Sequence, residues 1–188
     1  MKERFFNTSG PIQTDIHYFL PPLERFDQDE VLRLIEARKY FVLHAPRQTG
    51  KTTCLLALRD ELNRRGDYAC VYANVEMAPA ARENVADAIR AILGEIASRA
   101  CATLGDAFLK ENFVRIHEEN PAHLALNALL TERTVHSAKP LVLLLDEVDA
   151  LIGDTLISVL RQLWSGYDRR PADFPSSVIL CVGRDVRD

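Results

Sequence analysis

The chain has 188 residues, long enough for one domain with a substantial core. With 47% hydrophobic and 27% charged residues it falls among ordinary globular proteins and outside the disordered and fibrous classes. A formal net charge of -4 gives no global field favouring nucleic acid, and no apolar run reaches the roughly 18 residues of a membrane span.

Residues 1–23 hold Gly10, Pro11, Pro21 and Pro22 and show no sustained period. They are expected to form an irregular arm that packs through Phe5, Phe6, Tyr18 and Phe19, ahead of a domain over 24–188. Val31, Leu32, Leu34 and Ile35 recur at helical spacing, with Asp27 or Asp29 as the cap. The β-prone run Tyr40–Leu43 follows and leads through a turn into a helix over Thr53–Arg65, stopped by Gly66. YACVYANVE (68–76) reads as a second strand, and Pro79–Arg99 as a long amphipathic helix. Residues 100–120 are helical in part, and another helix opens at Pro121. Leu141–Leu145 are five consecutive aliphatic residues, suited to a strand buried on both faces. Asp154 is a candidate cap for a helix carrying Leu156, Leu160, Leu163, Trp164 and Tyr167, and Ser177–Gly183 is a fourth strand. Strands alternating with helices predict an α/β fold with a parallel, doubly wound sheet whose ligand site lies at the C-terminal strand ends.

Two stretches at those ends carry chemistry. In YFVLHAPRQTGKTT (40–53) the spacing is that of the phosphate loop G-x-x-x-x-G-K-[ST], with Ala45 at the first glycine. Ala45, Pro46, Arg47, Gln48, Thr49, Gly50, Lys51, Thr52 and Thr53 are the candidate nucleotide-binding residues. Their backbone N–H groups and the helix N-terminus would cradle phosphate oxygens, and Lys51 would reach the β and γ phosphates. Thr52 would ligand Mg²⁺. In LVLLLDEVD (141–149), Asp146 is placed to hold the same ion, directly or through water, and Glu147 to orient and deprotonate an attacking water. Glu76, at the end of the second strand, is either a neighbour of the metal site or an exposed strand end. Arg169 and Arg170, in the turn DRRPADFP, are either trans-acting arginines for a neighbouring copy or solvated surface groups. The four cysteines form no C-x-x-C pair and read as reduced, buried thiols, which with the absence of a signal-peptide pattern gives an expected cytoplasmic location.

APRQTGKTT, LLLDEVD, the strand ending VGRD and the lead-in PPLERFDQDEVLRLI together resemble the AAA-like, STAND and initiator-related branch of P-loop ATPases, over roughly residues 21–188. The resemblance implies a three-layer P-loop NTPase fold with strand order 2-3-1-4 and a fifth strand beside the first. It also implies ATP and Mg²⁺ as cofactors, and Arg184 as a polar sensor of the γ-phosphate alongside Lys51 and Glu147 in catalysis. In relatives the lead-in lies over the purine, so Tyr18 and Pro21 to Arg25 are candidates for an adenine pocket or for simple core packing. Only Asp185 to Asp188 follow Arg184, so the fifth strand is expected to be missing and the domain incomplete at its C-terminus. Three functions compete: a Mg²⁺-dependent ATPase coupled to a partner or to self-association, a nucleotide-binding switch with negligible turnover, and a small-molecule kinase. Adjacent Asp146 and Glu147 favour hydrolysis over the kinase, and no N-K-x-D signature supports GTP.

Overall fold

Leu141–Asp146 is buried at every position, as a strand covered on both faces must be. In the computed structural model, which describes residues 5–6, 15–46, 49–77 and 84–183, it lies inside a four-stranded, all-parallel sheet. The strands are β1 (Tyr40–His44), β2 (Ala69–Asn74), β3 (Leu141–Asp146) and β4 (Ser177–Val182). Six α-helices accompany them among the described residues: α1 (Gln28–Glu36), α2 (Lys51–Arg65), α3 (Val85–Leu104), α4 (Phe108–Glu119), α5 (Ala122–His136) and α6 (Gly153–Ser165).

Local chemistry sets most helix ends. Asp27 accepts the Glu30 N–H at 3.0 Å and starts α1. Gly66, at φ 85°, lets α2 close with its N–H on the Leu62 carbonyl. The third helix differs from expectation at both ends: Asn84 caps it by accepting from Ala86 and Asp87, and it continues past Arg99 to Leu104. Residues 78–83, where the sequence reading began it, lie outside the described residues. Asp154 is not a cap either. Ile152 holds the cap position of α6 without a side-chain bond, so Asp154 sits in the first turn and acts only through its charge.

Alternation along the strands divides the interior in two. Cys70, Tyr72, Val142, Leu144, Ile179 and Cys181 face one side, where Val31 and Ile35 of α1 and Leu55, Leu58 and Leu62 of α2 cover them. Val71, Ala73, Leu141, Leu143, Leu145 and Val178 face the other, under α3, α5 and α6. The parallel, doubly wound α/β class expected from the sequence is therefore the observed one.

The strand order is 2-3-4-1, with β4 between β3 and β1, where the resemblance implied 2-3-1-4. Burial gives the physical reason: β4 is largely buried, while β1 leaves Val42 58% exposed and makes the edge. Connection handedness is satisfied by this order as it would be by 2-3-1-4. α2 crosses on one face to carry the chain from β1 to the far strand β2, and the helices returning through β3 to β4 lie on the other face. Right-handed crossovers running in opposite directions along a sheet require that arrangement. Beside β1 runs an apolar groove of about 470 Å³ lined by Val42, Leu160, Trp164 and Leu180, on the side where the resemblance put a fifth strand.

The N-terminal aromatics do not enter the core. Phe5 pairs edge-to-face with His17 and Phe6 lies against Tyr18, while Phe6 remains 77% exposed. The opposite case is Phe174, fully buried, its ring pressed against Gly166, where an added Cβ would come within 2.5 Å. Phe174→Ala should cost about 3–5 kcal/mol in urea unfolding through cavity formation. Val135→Ala, at a side chain 67% exposed, should stay within about 0.5 kcal/mol; equal effects of the two substitutions would overturn this account of the core.

Candidate functional site

The C-terminal ends of β1 and β3 converge on the N-terminus of α2, and there the sequence-predicted residues meet. Gly50 occupies the cap position of α2 at φ 84°, a conformation open to glycine and strained for other residues. Among the described residues no side chain caps this helix, so the first-turn N–H groups of Lys51, Thr52 and Thr53 face the space where a ligand would sit. The Lys51 ammonium, 9% exposed, donates to the carbonyls of Ala45 and Pro46, each at 2.8 Å. Thr49 Oγ1 also donates to the Pro46 carbonyl, at 2.8 Å, and so ties the loop across its mouth.

β3 brings Asp146 against the same helix. Its carboxylate is fully buried, and Oδ2 accepts from Thr52 Oγ1 at 2.7 Å and from Tyr72 Oη at 3.0 Å. Oδ1 accepts the Glu147 N–H at 3.0 Å. Burial, followed by the charges of Asp146, Asp149 and Glu76, raises the Glu147 carboxyl above its ordinary range, while Lys51 opposes the rise. Glu147 also adopts the left-handed conformation (φ 58°), unusual for a residue with a side chain, where the chain turns out of β3 into a 3₁₀ turn over Val148–Ala150. Glu76 is thus close enough to act on the site electrostatically. Arg47, Gln48 and Arg184 lie outside the described residues.

A hydroxyl and a carboxylate in contact, both hard oxygen donors beside a phosphate loop, fit Mg²⁺, which takes one or two such ligands and completes its shell with water and phosphate. Among the described residues no cluster of three or more His, Cys, Asp and Glu side chains offers a different metal site.

The lead-in segment supplies a residue whose position the sequence left open. A 3₁₀ turn over Pro22–Arg25 packs on α2, with the Cys54 thiol donating to the Pro22 carbonyl at 3.1 Å. It places the Arg25 guanidinium over Gly50, where an added Cβ would meet Nη1 at 2.6 Å. Arg25 therefore joins Lys51 and the positive end of α2 around one space. Tyr72 was also missed, although its place one alternation before Asn74 puts it on the face of the sheet that carries Asp146. By contrast, Arg169 and Arg170 are engaged within their own chain near Tyr40, at the start of β1 and away from the loop. Arg169 donates to Thr131 and Asn127, and Arg170 stacks on Tyr167 and donates to the Arg38 carbonyl. Those contacts answer the trans-acting reading: the two arginines fasten a turn.

A family model described as an AAA domain matches residues 34–188. No curated protein matches significantly. Among solved structures, a chain of the E. coli MS115-1 HORMA:CdnC:Trip13 complex is 15% identical, with 86% of this chain and 48% of that chain covered and a TM-score of 0.46. A chain of Drosophila ORC bound to DNA is 16% identical, with 99% of this chain and 48% of that chain covered and a TM-score of 0.50. The present chain thus spans about half the length of these neighbours, and the likeness to the ORC chain concerns the fold.

Gly50→Ala should destabilise the fold by at least about 1 kcal/mol, because the left-handed backbone is strained for alanine whatever its surroundings. Adding Arg25→Ala should relieve the steric part alone. Full recovery in the double variant, measured by denaturant unfolding, would show that backbone conformation is not what requires glycine here.

Proposed function

Because the chain belongs to the AAA domain family, whose model matches residues 34–188, we propose that it is a Mg²⁺-dependent ATP-binding domain that hydrolyses ATP between the phosphate loop and Glu147. The observation that carries this reading is the 2.7 Å bond from Thr52 to Asp146, which joins the loop helix to the acidic strand end in one site. Residues 24–188 form the working unit in this proposal, with 1–23 as an appended arm.

The first-turn N–H groups of α2 and the loop backbone hold the β and γ phosphates. Lys51 gives up its bonds to the Ala45 and Pro46 carbonyls for charge-assisted bonds to phosphate oxygens. Thr52 and Asp146 would hold Mg²⁺, which when bound offsets the negative charge on the phosphates during transfer. Glu147 orients a water for in-line attack on the γ-phosphorus and accepts its proton, a task suited to a carboxylate whose basicity its environment has raised. Arg184 is assigned as the sensor of the γ-phosphate on sequence grounds. Coupling of the nucleotide state to a protein partner or a second copy completes the proposal.

Lys51→Ala should weaken ATP binding by about 2–4 kcal/mol in calorimetry, since the loop loses the full positive charge assigned to the β and γ phosphates; unchanged affinity would remove the assignment. Glu147→Gln should keep MgATP and release phosphate about 10²–10⁴-fold more slowly than the parent, whereas Asp146→Asn should chiefly weaken Mg²⁺ binding. A Glu147→Gln variant that hydrolyses at the parental rate would assign water activation elsewhere. A parent that binds MgATP without releasing phosphate would favour a nucleotide switch.

A further inference from the structure

A carboxylate is useful to a cation only if it is already aimed, and Asp146 receives more help than Thr52 provides. On the α2 face of the sheet, Cys70, Tyr72 and Asn74 of β2 run beside Val142, Leu144 and Asp146 of β3, in the register Asn74 to Asp146 and Tyr72 to Leu144. From that diagonal position the buried Tyr72 side chain reaches Asp146 Oδ2 at 3.0 Å.

Its single proton goes to that carboxylate, in a polar setting that Asn74 shares. The Asn74 side-chain oxygen accepts the Glu76 N–H at 2.8 Å, which sets the amide so that its NH₂ group faces the other way. That group acts on the Tyr72 hydroxyl from the same face of the sheet. From the opposite neighbour, β4, the buried Cys181 thiol lies beside Asp146. Thr52 belongs to the loop helix, whereas Tyr72 is rooted in the sheet.

We propose that Tyr72 is a positioning residue, which with Asn74 aligns the Asp146 carboxylate for a divalent cation that accompanies a nucleotide. The proposal rests on the nucleotide-site reading above. Partners one shell out from a metal ligand typically contribute about 10–100-fold in metal affinity.

The test is ADP binding by calorimetry across a Mg²⁺ series and in EDTA, for the parent and Tyr72→Phe, with thermal unfolding recorded in parallel. Tyr72→Phe removes one hydroxyl and retains the ring. It should leave the EDTA affinity for ADP unchanged and require about ten-fold more Mg²⁺ to reach half its effect. Parental Mg²⁺ dependence in Tyr72→Phe, with or without a lowered melting temperature, overturns the proposal and leaves Tyr72 a packing residue. If Tyr72→Phe fails to fold, Asn74→Ala carries the same test: it removes the amide from the polar setting of the Tyr72 hydroxyl and should shift the Mg²⁺ requirement upward, and an unchanged requirement overturns the proposal. A parent that binds no ADP, or binds it without regard to Mg²⁺, overturns the nucleotide-site reading and this inference with it, an outcome distinct from a Mg²⁺-sensitive parent with an insensitive response in the variants.

Discussion

The hydrogen bond between Thr52 and Asp146 joins residues 94 positions apart, and the arrangement of the site depends on it. It can form only if the strand before α2 and the strand ending in Asp146 run in the same direction and finish at the same level. A parallel sheet meets both conditions, since all its strands end on one side. The cost is long connections, and the chain places α3, α4 and α5 in the largest of them. These helices cover one face of the sheet and supply much of the core.

Electrostatics at the site are divided by sign. On the loop side stand Lys51, the N-terminus of α2 and the Arg25 guanidinium over Gly50. On the strand side stand Asp146, Glu147, Asp149 and, further out, Glu76, close enough together to raise the Glu147 carboxyl. Like charges gathered this way oppose the fold locally, and each set would be relieved by a ligand of opposite sign: phosphate for the first, a divalent cation for the second. MgATP has both. The bonds of Lys51 to two loop carbonyls and of Asp146 to Thr52 and Tyr72 hold these groups in place without it.

The opposite end of the sheet has a different character. Near the start of β1, Arg170 lies against the rings of Tyr40 and Tyr167, and Arg169 bonds to Thr131 and Asn127. Arg133, 3% exposed, pairs with Asp106 at 3.0 Å and ties the turn after α3 to α5. These arginines fasten loops, and their planar, multi-donor groups suit contacts with several carbonyls, hydroxyls and rings at once.

Sequence determined the parts that local chemistry governs. The phosphate-loop spacing, the aliphatic run ending in Asp146-Glu147, the Asp27 cap and the Gly66 stop are each encoded within a few residues, because backbone conformation and burial on two faces leave direct marks on residue type. Strand order was not legible. YFVLH and SVILCV are both short apolar runs, and only packing shows that the first makes the edge and the second the interior. The start of α3 was obscured by Pro79, and the charge of Asp154 was mistaken for a cap. Tyr72 looked like any strand aromatic, and Arg169 and Arg170 like free surface charges, because a side chain's partner across the sheet or across a turn is set by register and crossover, which no local pattern records. The sequence by itself thus determined which groups are proposed to meet a phosphate and a cation, and tertiary structure alone decided which neighbours hold them in place.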